Sequence, residues 1–412
     1  MSANPKSQTT KKPHRLHIKN TSVYRYLFKK DSLFATILVF LVIGVFARLQ
    51  RVLVILDPKE ITSKDFNYSD LAYNLLGKHK GTFADTGIVI VNIGEGGRDK
   101  IDSAIKKIDS YHPKVIGVDI LFAKAKQDHL GADTALLNIF QKNPLVVTSY
   151  ALDINSKPTG YFYNKSINKG YVNFTLKNQN VVREFTPFVD EGDGYLSFDA
   201  AIVKKVAPGC FDTLKSMHHA TQVINYGYTD TGYVVYNVDY LLRDSVKKSD
   251  IIGKIVLLGY VSSLNNIYDK HYTPLNGSFV GKSPPDLNGV FIHANIIRMI
   301  LNKNYIHRVP GWLNWLIAFV LCWVHMAFFI GYFIEKHIWF HLAAKTAQLL
   351  SAVFFVYFGL FLFYKFNVDI DMTAGLIAII LAVDILYFYE AGVLWLHHKK
   401  GYKTLFHHEP GH

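Results

Sequence analysis

The sequence predicts a mixed, mainly parallel α/β domain with helices on both faces, one membrane-spanning helix before it and three after it. Three observations predict this fold class. Four apolar runs are each long enough to cross ~30 Å of hydrocarbon, which takes ~20 helical residues. The residues between the first and second runs alternate short β-branched stretches with segments of helical period. Basic residues gather at the flanks of the apolar runs instead of spreading over one soluble face.

The chain has 412 residues and a formal charge of +13; half of it is hydrophobic, 14% is aromatic, and it holds two cysteines. Its positive mean hydropathy excludes a disordered or collagen-like chain. Two cysteines exclude a disulfide scaffold. Cys210 in the domain and Cys322 in the second apolar run would face different compartments and so could not pair.

In order, residues 1–32 are a basic tail with Lys6, Lys11, Lys12, Arg15, Lys19, Arg25, Lys29 and Lys30. The tail reads as a solvated leader, with contact to anionic lipid headgroups as the alternative. The first span, 33–56, is too long for a signal peptide, and no small-x-small cleavage site follows it. The positive-inside rule puts the amino terminus in the cytoplasm and residues 57–308 on the outer side of the membrane. Spans at 312–333, 343–364 and 372–396 then return a short tail, 397–412, to the cytoplasm. The links agree: Lys336 and Lys345 mark a cytoplasmic connection, and KFNVDIDM an outer one. The domain at 57–308 carries 29 Lys and Arg against 25 Asp and Glu. Such a small surplus excludes nucleic acid as a partner, because most of the positive charge lies in the tail.

Within the domain, GIVIVNIG (87–94) has the composition of a buried strand. A helix should open at Asp99, with Ile101, Ala104, Ile105 and Ile108 on one face. KVIGVDILF (114–122) is a second strand, Asp133 to Phe140 a second helix, and PLVVTSY (144–150) a third strand. This β-α-β-α-β order predicts a parallel sheet covered on both faces. The aromatic, Asn-rich stretch 160–188 reads as antiparallel hairpins. Residues 197–206 return to helix, 250–260 to a buried strand, and 290–301 to a last helix before the second span.

These residues resemble a known family. IVIVNIGEGGRDKIDSAIKKI and KVIGVDILF, with Asp128 and Asp133 after them, are similar to the first half of a CHASE2 domain. GYVNF, VVREFTP and SFDAAI resemble its middle; INYGY, GKIVLLGYVSSLNNIYDKHYTPLNG and NGVFIHANIIRMIL resemble its second half, in the family's order. NYSDLAYNLL resembles its entry segment. The similarity covers about residues 60–305, and three spans follow, as is usual in the family. It implies an extracytoplasmic sensory module of a bacterial transmembrane receptor, normally joined to a cytoplasmic kinase or cyclase-type output. Only 16 residues follow Leu396, fewer than a catalytic output domain needs. A stand-alone sensor that hands its signal to another chain is therefore expected.

Asp119 lies near the carboxyl end of a predicted parallel strand, where open α/β sheets form ligand crevices; capping of a neighbouring loop is the competing account. Asp269, His271 and Thr273 follow the last strand, and His293 and Asn295 lie on the next helix. With Asp119 they could line one pocket. An Asp and two His could ligate zinc or act in acid–base hydrolysis, but His293 sits between apolar neighbours, where a packed, hydrogen-bonded histidine is commoner. Asp128, His129 and Asp133 match no recognised metal cage, and an acidic helix start explains them as well. Arg183 suits a bidentate anion site or a structural salt bridge. The Gly94–Gly97 turn fails as a nucleotide loop, because Asp99 stands where a third glycine belongs and Glu95 would repel phosphate. No metal or cofactor is expected. In the spans, matching by depth pairs Asp384 with His325 and Glu390 with Lys345, with a docking face for another membrane protein or a proton path as the alternatives.

The expectation is a non-enzymatic inner-membrane protein that senses a ligand or envelope state and signals through a separate membrane, periplasmic or cytoplasmic partner. A scaffold subunit of an envelope complex and a periplasmic hydrolase built on the Asp/His set are the alternatives.

Overall fold

The structure is a computed structural model. It describes residues 23–54, 67, 70–74, 76–78, 85–125, 130–175, 180–189, 194–217, 220–262, 266–276, 284–335 and 339–407. In chain order it holds α1 (Val23–Leu27), α2 (Lys30–Val54), α3 (Asp70–Asn74), β1 (Asp85–Asn92), α4 (Arg98–Ser110), β2 (Val115–Asp119), α5 (Leu130–Lys142) and β3 (Val146–Leu152). Short strands follow: β4 (Pro158–Thr159), β5 (Lys169–Tyr171), β6 (Glu184–Phe185), β7 (Phe188–Val189) and β8 (Tyr195–Leu196). Next come α6 (Phe198–Val206), α7 (Pro208–Ser216), β9 (Gln222–Val223), β10 (Tyr233–Asn237), α8 (Val238–Leu242) and β11 (Ile255–Gly259). The chain continues with β12 (Lys270–His271), β13 (Leu287–Asn288), α9 (Gly289–Leu301), β14 (His307–Arg308), α10 (Gly311–Glu335), α11 (Phe340–Phe366), β15 (Val368–Asp369) and α12 (Thr373–Lys400).

Two compact units emerge. One is α/β and comprises residues 54–309 with 357–370; the other is helical and comprises the remainder. The α/β unit is built on a seven-stranded sheet ordered β10-β1-β11-β2-β3-β4, with β5 also paired to β3. All of its pairings are parallel except β3 with β4. The strands β1, β2 and β11 are β-branched or leucine-rich and buried on both sides, as parallel strands under two helical layers must be. Ile116 and Val118 pack under α4 and α5 with Ile101, Ile105, Ile108, Leu136 and Phe140. Gly117 turns to the opposite face, toward Phe198 and Ile202 of α6.

The expected helices at 99–108, 133–140, 197–206 and 290–301 form. Ser197 starts α6 by accepting a hydrogen bond from the Ala200 amide at 3.1 Å. The stretch 160–188 differs from its expectation. Thr175 does bridge Glu184 antiparallel, but Lys169–Tyr171 joins the main sheet as parallel strand β5, and Glu184–Phe185 pairs with the distant β9. Gly170 permits this, because a Cβ there would lie 2.4 Å from the Phe198 Cα. The strand expected over 250–260 begins only at Ile255, after a turn through Gly253 in the left-handed region.

In the helical unit, α2, α10, α11 and α12 are each long and apolar enough to cross a membrane. Small residues let α10 and α12 approach closely: Ala318 faces Gly375, and Ala378 and Ala382 are fully buried beside Cys322 and Met326. Asp31, buried at the start of α2, accepts from the Tyr389 hydroxyl (2.8 Å), the Thr404 hydroxyl (3.2 Å) and the Leu405 amide (2.9 Å). A buried carboxylate with three donors is satisfied, so it fastens the first span to the last and to the segment after it.

The α/β unit also grips the turn after α11. Lys78 Nζ donates to the Phe363 and Tyr364 carbonyls (2.8 and 3.3 Å) and to Asn367 Oδ1 (2.7 Å). It thereby caps carbonyls that every helix end leaves free. Asn367 donates to Asn304 Oδ1 (2.7 Å), β14 pairs with β15, and Arg308 bridges Glu184 and Asp369.

Candidate functional site

The carboxyl edge of the parallel sheet gathers a cluster of ionisable side chains. Asp119 ends β2 and lies in register with Gly259, the last residue of β11. Helix α9 starts beside this edge and runs through the core with nearly every residue buried, His293 among them. The His293 Nδ1 is 2.9 Å from Asp199 Oδ1 at the start of α6, and its Nε2 is 4.0 Å from Asp119 Oδ1. The Phe174 ring stacks on the imidazole at 4.9 Å and 29°, and the Phe198 ring meets its edge. The His271 ring meets the Phe174 ring in a T-shaped contact at 5.0 Å.

The two-stranded ribbon β12–β13 brings Asp269 and His271 to this edge. Asp286 fixes the ribbon by accepting from the Thr273 amide (2.8 Å) and hydroxyl (2.5 Å). Asp269 adopts a left-handed φ of 60°, which Asp tolerates better than most residues. The residue is exposed, yet its carboxylate turns inward to a point where a Cβ on Gly289 would be 3.7 Å from both Oδ2 and the Phe174 ring. The site thus runs from a buried floor, Asp199 and His293, through a partly covered Asp119, to an exposed rim.

Electrostatics follow from that gradient. Burial opposes a charge on His293, but Asp199, Asp119 and Asp269 outweigh it and hold the imidazole up to about 9. Burial raises Asp119, helped by Asp199, while His293 pulls the other way. Burial and then Asp119 push Asp269 up to about 6, and burial alone takes Asp286 up to about 6. His271 is lowered by burial and by the neighbouring His293. The arrangement sets one imidazole, favoured in its protonated form, among the three carboxylates Asp199, Asp119 and Asp269.

Of the residues expected at one pocket, Asp119, Asp269, His271 and His293 converge. Asn295 does not join them: it holds the Gly227 and Tyr228 amides at 2.9 and 3.1 Å and donates to the Tyr228 and Phe291 carbonyls. Arg183 also lies elsewhere, gripping Asp70 from Nε (3.0 Å) and Nη2 (2.6 Å), which is the structural salt bridge and not an open anion site. Asp133 pairs with the buried Arg98, whereas Asp128 and His129 lie outside the described residues. Sequence reasoning missed Asp199 and Phe174. Asp199 stands in the first turn of a capped helix, where an acid needs no partner to be explained; Phe174 carries no periodic signal at all.

The pairings expected in the spans are corrected. His325 bonds Leu321 O (2.8 Å) and Ser351 Oγ (2.9 Å), not Asp384. Lys345 meets Asp384 at 3.6 Å, not Glu390. Depth matching assumed that the spans share one level. Sequence depth does not fix which helix faces meet, and the fold sets Lys345 beside Asp384 and His325 beside Ser351 of α11. Gln348, not singled out from sequence, donates to the Ile379 and Ile380 carbonyls at 2.8 Å.

The fold is thus an α/β unit with a charged sheet edge, flanked in sequence by helices long and apolar enough to cross a membrane. The CHASE2 domain model matches residues 38–331, and the chain belongs to the CHASE2 domain family, a family of sensory extracytoplasmic domains. The match reaches from within α2 to within α10. No curated protein and no solved structure matches the chain.

Proposed function

We propose that this chain is a non-enzymatic receptor of the bacterial inner membrane. Its periplasmic α/β unit reads a ligand or an envelope state at the Asp119–His293 edge, and a separate partner chain receives the result. One observation carries the reading. His293 sits on α9, and the segment leaving α9 is bonded, through Asn304 and β14, to the turn between α11 and α12 before it enters α10. A change in charge at the edge therefore has a hydrogen-bonded route within the α/β unit to residues 304–308 and 367–369. Binding fits the site better than hydrolysis, because both ring nitrogens of His293 face carboxylates and not a Ser, Thr or Cys nucleophile. Among the described residues no group of three or more His, Cys, Asp or Glu is placed to hold a metal.

Hydrogen exchange on the full chain in lipid nanodiscs tests the route. Asp119→Asn should change amide exchange at 302–309 and 366–371 as well as at the ends of β2 and β11. A change confined to the strand ends would remove the route and, with it, the receptor reading.

A further inference from the structure

The Lys345–Asp384 pair stands on the outer surface of the helical unit, with both side chains more than half exposed. Three other polar groups of that unit turn inward: Asp31 is closed by three donors, His325 reaches Ser351, and Gln348 reaches two carbonyls of α12. Asp384 lies near the middle of α12, within an exposed stripe of Ile377, Ile380, Phe388, Ala391 and Trp395 that, with Asp384, recurs every three or four residues. One turn along, His341 and Tyr387 add a second polar contact at 3.2 Å on the same α11–α12 seam. Ionised groups facing hydrocarbon are costly and normally find a protein partner.

We propose that this seam is where two copies of the chain meet in the membrane, about a two-fold axis that sets Lys345 of each copy against Asp384 of the other. The charges select the occupant. The seam offers one positive and one negative group, so it is complementary to itself after a two-fold turn. A partner of different sequence would be selected by an unbalanced charge, and the pair has none. The stripe around it supplies aromatic and aliphatic contact without further charge. This proposal does not depend on what the Asp119–His293 edge binds.

Complementary charge variants test it in full-length chains carrying two different tags. A Lys345→Asp chain presents two acids at the seam, and an Asp384→Lys chain presents two bases. Each alone should lose about tenfold in self-capture from nanodiscs, whereas co-expressing the two should restore capture to near the wild-type value. In a Cys210→Ser, Cys322→Ala background, Ile380→Cys should cross-link to itself in native membranes, and Asp384→Asn should abolish that product. The proposal is overturned if the mixed pair is captured no better than either variant alone. It is overturned equally if the wild type is monomeric in native membranes, or if an unrelated membrane protein follows Asp384 in place of a second copy.

Discussion

Replacing Asp199 with Asn removes one charge from the floor of the site and leaves the side chain's shape in place. In the folded chain His293 keeps its proton up to about 9, against ~6.5 for an unperturbed imidazole. Between those values the native state binds one more proton than the unfolded chain, so stability falls by ~1.4 kcal/mol per pH unit as pH rises. The contribution is fully present below ~6.5 and gone above about 9, and it amounts to roughly 3 kcal/mol across the window. Asp199 is the strongest charge holding that proton and sits 2.9 Å away, while Asp119 is at 4.0 Å. Asp199→Asn should therefore erase most of the contribution and flatten the slope. With ~2–4 °C per kcal/mol for a unit of this size, the variant should melt roughly 6–12 °C below wild type at pH 6.5. At pH 9.5 the two should nearly coincide. Lys78, lowered to about 8 by burial, gains stability as pH rises above that value, but it titrates in both proteins and cancels in the difference. Calorimetry of the full chain in nanodiscs from pH 6.5 to 9.5 reads the result. An equal offset at every pH would mean that packing, not charge, was lost, and the account of the ionised floor would be wrong.

Lys78→Met should loosen the grip on the turn after α11, because it leaves the Phe363 and Tyr364 carbonyls short of a donor, while Asn367 Oδ1 keeps only the Asn225 side-chain amide at 3.3 Å. A cost of ~1–3 kcal/mol is expected, visible as faster amide exchange at 304–309 and 366–371; unchanged exchange there would show the contact to be idle. Gly170→Ala should cost ~3 kcal/mol, since the new methyl meets the backbone of Phe198, which cannot turn aside. Gly209→Ala, which meets nothing within 4 Å, is the matched control and should not lower the melting temperature.

The parallel sheet was legible because its strands are short β-branched runs joined by helices of clear period, and 87–94, 114–122 and 144–150 all became β1, β2 and β3. Asp119 and His293 could be placed at one edge because strand ends and the following helix share that edge in any βα arrangement. What stayed hidden depends on contacts distant in sequence. The partner of His293 lies 94 residues away on α6. Residues 169–171 look like a hairpin arm by composition, yet they close the sheet because Gly170 lets α6 approach. In the spans, hydropathy locates each helix but not its vertical offset. Lys345 therefore meets Asp384, and His325 a serine, where depth alone paired them otherwise.

The account depends most on the α/β unit standing on the far side of the membrane from the cytoplasm. Ile154, at the turn between β3 and β4, is 99% exposed and a good place for a reporter thiol. In a Cys210→Ser background, Ile154→Cys should react with a membrane-impermeant maleimide in intact spheroplasts as fully as after lysis. Labelling that appears only once the membrane is broken would place the unit inside the cell and contradict the account.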